Sequence, residues 1–192
     1  MKPLSSIATL AAAGFSLASL TAITSVNAKE IVIKFSHTVA TIGHPKGEAA
    51  ILFAKRVNEQ MAGKDRIKVF PNSQLYNDNK VLEALLLGDV QMAASSLSKF
   101  EQITLKYRVF DLPFLFQDMG AVDRFQKSAV GDMLKNAMTK QGLKGLAWWH
   151  NGMKQLSAGK PLFVPSDPKG LKFRIMTSDV LKAQFEALGA SP

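Results

Sequence analysis

The chain has 192 residues, no cysteine and a formal net charge of +9, from 24 Lys and Arg against 15 Asp and Glu. Without cysteine there is no disulfide framework and no thiol chemistry. The basic balance points to an anionic partner, nucleic acid, anionic lipid or an acidic small molecule; the cations are dispersed, with no Lys/Arg run, aromatic RNP segment or zinc finger, which argues against nucleic acid and favours a small anion.

Residues 1–28 read as a cleavable signal peptide. Lys2 gives a positive start, Ile7 to Leu20 an uncharged apolar stretch, and Val26-Asn27-Ala28 a small-residue cleavage site. The apolar stretch is short and rich in Ser and Thr, which argues against a membrane span. Cleavage after Ala28 would release a chain starting at Lys29, and a cysteine-free exported protein suits a bacterial periplasm.

From Lys29 the pattern alternates strands and helices. Ile31 to Phe35 is a β-branched strand, and a helix starts at Pro45 with Ala50, Phe53, Ala54, Val57 and Met61 at helical spacing, ending at Gly63. Ile67 to Phe70 is a second strand, Val81 to Leu87 an apolar helix stopped by Gly88, and Val90 to Ala94 a third strand. This β-α-β-α-β order predicts a mostly parallel α/β sheet covered by helices. A long helix is expected over Met119 to Lys140, capped by Asp118, with Val122, Phe125, Ala129, Val130, Met133, Leu134, Ala137 and Met138 as a core-facing stripe. Leu143 to Trp149 reads as another strand. After a proline-punctuated loop, Gly170 to Ile175 is a short alternating run with Leu171, Phe173 and Ile175 on one face and Lys172 and Arg174 on the other. A last helix runs from Val180 to Leu188 with Thr177, Ser178 and Asp179 as caps, and its Leu181, Phe185 and Leu188 need a sheet to cover. No internal repeat or low-complexity linker is present.

Lys154 and Arg174 sit on or beside neighbouring extended segments, with Asn151 close to the first. An Arg fork fits a carboxylate bidentately and a Lys adds a point charge; a solvated strand face has the same pattern. Phe35-Ser36-His37-Thr38 ends the first parallel strand, the edge where open α/β sheets bind ligands. Lys46 falls in the first turn of the next helix, where the dipole disfavours a cation; a bound anion offsets this, and so does a side chain in water. His37 and His44 have no further His or Cys nearby, so no metal site is expected, and His150 reads as a polar lining residue. Ser96-Leu97-Ser98-Lys99 matches S-x-x-K, but the companion S-D-N and K-T-G are absent. Neither G-x-S-x-G, a Walker loop nor G-x-G-x-x-G occurs, so no cofactor is expected.

As a set, nine stretches resemble one family. They are Lys34-Phe35-Ser36-His37, Pro45-Lys46-Gly47, Val69-Phe70-Pro71-Asn72-Ser73-Gln74-Leu75, Leu82-Glu83-Ala84-Leu85 and Ser96-Leu97-Ser98-Lys99-Phe100. Phe110-Asp111-Leu112-Pro113-Phe114, Asn151-Gly152-Met153-Lys154-Gln155, Gly170-Leu171-Lys172-Phe173-Arg174-Ile175 and Leu188-Gly189-Ala190-Ser191-Pro192 complete it. The chain resembles the DctP-type periplasmic solute-binding proteins of tripartite ATP-independent periplasmic (TRAP) transporters, in their C4-dicarboxylate branch. The resemblance implies a two-lobed clamshell that closes on a carboxylate and is not an enzyme; its partners would be a small organic acid and the membrane subunits of a TRAP transporter. It implies Arg174 as the bidentate carboxylate ligand and Lys154 at a second basic position, often arginine in the family. Thr177 falls on a lining position, Ser96 and Lys99 on a cleft-facing segment, and His37, Lys46, Trp149 and Asn151 are further lining residues. Residues 29–150 would form the first lobe and 151–192 the hinge crossing and start of a second lobe. Family members continue past Pro192, so an N-terminal fragment is expected. The alternatives are a hydrolase using Ser96 and Lys99, and a ligand-binding sensor module without transport.

Overall fold

The structure is a computed structural model and describes residues 30–192; the expected signal peptide lies outside the described residues. Strand β1 (Ile31–Ser36) is the centre of a three-stranded parallel sheet of order β2-β1-β3, with β2 Asp65–Phe70 and β3 Met92–Ala93. The register pairs Ile33 with Ile67 and Phe35 with both Val69 and Met92. Helix α1 (Pro45–Met61) joins β1 to β2, and α2 (Val81–Leu87) joins β2 to β3. These crossovers run in opposite directions from the central strand. Right-handed connections then place α1 and α2 on opposite faces, and two separate cores result. Phe35, Ala50, Ala54 and Ile67 form one. Val81, Leu82, Ala84, Val90, Phe100, Tyr107, Leu134 and Met138 form the other.

The ends of α1 follow from local chemistry. His44 is its N-cap, its Nδ1 accepting from the Lys46 amide at 3.2 Å, and Pro45 opens the first turn. Gly47 is required there, since a Cβ would lie 1.8 Å from the Ala40 carbonyl oxygen. The helix ends on Ala62 and Gly63 in left-handed conformation. Asn58 then reaches the free edge of β2, accepting from the Ile67 amide at 2.7 Å and donating to its carbonyl at 3.0 Å.

Several expectations are corrected. The third strand is only Met92–Ala93, shorter than Val90 to Ala94, because Val90 turns into the α2 core. The single helix expected over Met119 to Lys140 is three pieces: α3 (Met119–Gln126), α4 (Ala129–Lys135) and the 3-10 turn Thr139–Gln141. Asp118 does cap α3, but Ser128 ends it and caps α4, donating to the Phe125 carbonyl at 2.6 Å and accepting from the Gly131 amide at 3.2 Å. The continuous stripe is therefore split: Leu134 and Met138 are buried, whereas Val130 and Met133 are exposed.

Leu143 to Trp149 has no ladder partners and is not a strand, yet its last side chains alternate as in one. Trp148 packs on Tyr107 and Phe110 in the α2 core, with ring centroids 6.0 and 5.4 Å away. Trp149 packs on Phe35 and Phe53 on the α1 side, at 5.8 and 6.3 Å. Gly170 to Ile175 keeps the expected alternation of half-buried and exposed residues but pairs only through a parallel bridge from Lys172 to Ser191. Between them runs α5 (Asp179–Ala187), capped by Ser178. The α5 stripe is covered: Leu181 and Phe185 are buried, Leu188 is half-buried, and Phe185 packs on Phe173 at 4.8 Å. Residues 170–173, α5 and 189–191 thus build a small β-α-β unit. Among the described residues, no helix is long and apolar enough to cross a membrane.

Candidate functional site

In a 2-1-3 parallel sheet, the crevice lies beyond the carboxyl ends of β1 and β3, where connections leave towards opposite faces. Ser36 and His37 end β1 there, Lys46 rises from the first turn of α1, and Ala94 to Lys99 continue from β3. The Lys46 Nζ donates to the Ala94 carbonyl at 3.1 Å, tying the α1 start to the β3 end. No carboxylate reaches Lys46 within ion-pair distance among the described residues; burial holds its ammonium below the ordinary lysine range, and the nearby Asp78 charge opposes this.

His37 is 2% exposed, packs edge-on against Phe35, and neither of its ring nitrogens makes a well-formed hydrogen bond. Burial, then the Lys46 charge, pushes its pKa down, while the Val39 backbone opposes weakly. The Ser36 Oγ and Asp78 Oδ1 are likewise buried without partners. A group of unsatisfied polar atoms thus gathers at the sheet end, where a polar ligand would satisfy them. His44 is spent on the helix cap, and no cluster of three or more His, Cys, Asp or Glu suited to a metal occurs among the described residues.

The next part of the site joins the sheet unit to the C-terminal unit. The Lys99 Nζ donates to Asn79 Oδ1 at 2.7 Å and to Thr177 Oγ1 at 3.0 Å. Two expected residues 78 positions apart are thus brought into contact, and both line a cleft with Asn79, Glu101 and Gln102. Ser96 only precedes the 3-10 segment Leu97–Gln102; Lys99 is bonded to Asn79 and Thr177, not to the Ser96 hydroxyl. Arg174, three residues before Thr177, is exposed with no ion pair among the described residues. Asn151 is exposed on the crossing segment, and Trp149 walls the α1 side against Phe35. His150 leaves the group, bonding to Asp123 at 2.7 Å.

Lys154 differs most from a free cation. Its Nζ donates to the buried Asp111 Oδ1 at 2.7 Å and to the Phe110 carbonyl at 3.1 Å, and Ser98 Oγ donates to the same Oδ1 at 2.8 Å. Asp111, Asn79 and Asp78 were given no site role from the sequence, although Asp111 lies in one of the stretches that carry the family resemblance. For Asp111 a signal existed, a lone acid inside the apolar Phe110 to Phe114 stretch; for Asn79, a polar residue in a turn, there was none. Another missed group joins the units: Arg108 bonds Glu101 and, at 2.6 Å, Asp179 Oδ2, while the Asp179 amide donates to Glu101 Oε2 at 3.2 Å.

The same fold recurs in proteins of known structure. A TRAP periplasmic solute-binding protein from Shewanella oneidensis, with bound succinate, superposes with a TM-score of 0.82 at 56% identity, over 85% of this chain and 53% of that one. One from Pseudomonas aeruginosa, with bound L-malate, gives a TM-score of 0.81 at 53% identity, over 84% of this chain and 56% of that one. The fold is therefore the α/β fold of the two-lobed periplasmic-binding-protein clamshell. The C4-dicarboxylate-binding periplasmic protein DctP of Vibrio cholerae is 66% identical over 91% of this chain and 54% of its own length. The chain thus spans about half the length of these relatives. A sequence model matches residues 35–192, from the end of β1 through the small C-terminal unit, so the edge that gathers these polar groups lies inside the match. The chain belongs to the bacterial extracellular solute-binding protein family 7.

Proposed function

We propose that this chain captures a small organic acid in the periplasm, a C4-dicarboxylate such as succinate or malate, and delivers it to the membrane subunits of a TRAP transporter. The observation that carries this reading is a set of cations without acids. Lys46, Lys99 and Arg174 have no carboxylate partner among the described residues, although Lys46 is largely withdrawn from water and Lys99 is partly so. Desolvated cations are ordinarily paired, and a ligand carboxylate supplies the missing charge. Arg174 would hold one carboxylate bidentately, with Thr177 and Lys99 beside it; Lys46, His37, Trp149, Asn151, Ser96 and Lys154 would line the rest of the cleft. Relatives of similar fold contain succinate and L-malate, which supports the C4 class.

The reading is of a binder without a chemical step. A Ser/Lys hydrolase needs its lysine against the serine hydroxyl, whereas Lys99 is committed to Asn79 and Thr177. Calorimetry with succinate, L-malate, fumarate and the matched monoacid butyrate tests the proposal. Dicarboxylates should bind about tenfold or more tighter than butyrate, on the order of 1.4 kcal/mol, and remain chemically unchanged. Absence of heat and of thermal stabilisation with every dicarboxylate would reject it. Uptake of labelled succinate with the membrane subunits present would separate a transport receptor from a sensor.

A further inference from the structure

We propose that Asp111 is a positioning residue for ligand recognition: it holds the Lys154 ammonium in one orientation, so that its remaining N–H meets the ligand's second carboxylate. The inference rests on the dicarboxylate reading above and assigns a role to a residue that touches no ligand.

The geometry is that of a fixed charge. An ammonium has three donors. Lys154 spends one on Asp111 Oδ1 at 2.7 Å and one on the Phe110 carbonyl at 3.1 Å, leaving one N–H uncommitted. Its side chain is 53% exposed, whereas that of Asp111 is 1% exposed. The acid is thus the buried anchor, and the cation is its accessible end. Asp111 is itself held from two sides: Ser98 Oγ donates to its Oδ1 at 2.8 Å, and Gln184 Nε2 of α5 donates to its carbonyl. Ser98 directly precedes Lys99, which reaches Thr177. One buried carboxylate therefore ties the Lys154 position to the segment that carries Lys99.

A buried carboxylate with one oxygen lacking any partner is costly, and Asp111 Oδ2 is such an oxygen. An apolar residue would pack that interior at lower cost, so the acid is best accounted for by what it does to Lys154. A free lysine must give up rotamer freedom on binding, and one already held gives up less. The orientation fixes where the second carboxylate must lie and hence favours diacids of one length.

The test compares affinities for succinate and butyrate in the full chain. Wild-type selectivity for succinate is established first; its absence would defeat the dicarboxylate reading, separately from the role of Asp111. Asp111→Asn should then weaken succinate binding roughly 10- to 100-fold while changing butyrate binding little. Lys154→Met should give a similar selective loss, and the double variant should be no worse than Lys154→Met alone, because one residue acts through the other. Should Asp111→Asn not fold, Asp111→Glu reads the same ratio, since it keeps the charge and displaces the carboxylate. An unchanged ratio in the folded Asp111 variant, or additive losses in the double variant, would each overturn the proposal.

Discussion

At the scale of single residues, the cation without an acid and the histidine without a well-formed hydrogen bond give the sharpest expectations. Arg174 is exposed and has no acid within reach among the described residues. Arg174→Ala should weaken dicarboxylate binding by roughly 2–5 kcal/mol, about 30-fold to several thousand-fold in Kd by calorimetry. Arg174→Lys should lose much of the same, because the charge stays and the fork goes. His37 gives a pH effect whose sign follows from burial. Its folded pKa is lowered, first by burial and then by Lys46, so the unfolded chain takes up its proton more readily. Stability from this group is complete above about pH 6.5 and is lost as pH falls from there towards the folded pKa. Thermal melts from pH 8 to pH 5 should show that decline, with a shallower one in His37→Gln. Parallel curves for both proteins would show that His37 takes no part.

At the scale of elements, the packing of α3 against α4 rests on one glycine. A Cβ at Gly131 would lie 2.2 Å from the Gln126 carbonyl oxygen, a backbone atom that cannot step aside. Gly131→Ala should therefore destabilise the fold by about 1–3 kcal/mol, read from urea unfolding, although alanine is the better helix former. A stabilised variant would mean that the two helices can merge. This is also where the sequence was least legible. The ends of α1 and α2 were readable because proline, glycine and apolar spacing all act within a few residues. The α3–α4 break was hidden because Ser128, acting as a cap, is compatible with a helix interior until its hydroxyl is seen on Phe125 and Gly131. The 143–149 segment gave the right alternation and the wrong element: side-chain period comes from extended backbone, whereas a ladder also needs a neighbour. In the candidate site, Lys99 and Thr177 were legible one by one through the family resemblance, but their contact was not. The Lys154–Asp111 pair spans 43 positions, beyond any local period.

At the scale of the molecule, the sheet unit and the small C-terminal unit meet through polar contacts at the foot of α5. Glu101 is central: it bonds Arg108 and accepts from the Asp179 amide, while its own side chain is only 15% exposed. The outer contact, Arg108 to Asp179, involves a carboxylate side chain that is 79% exposed, and such pairs contribute little. The inner bonds involve a Glu101 carboxylate mostly withdrawn from water, and so carry more of the tie than the outer one. A tie at this junction sets how tightly α5 is held against the segment that carries Glu101 and Arg108. Glu101→Gln keeps the shape and removes the charge. It should speed amide hydrogen exchange across Asp179 to Ala187 by roughly tenfold or more, leaving β1 and α1 unchanged. Asp179→Asn, which weakens only the exposed pair, should change exchange less than threefold, an estimate from the small worth of such pairs. If both variants loosened α5 equally, the exposed bridge would be the real tie; if neither did, the units would be held by Phe173, Leu181 and Phe185 packing alone.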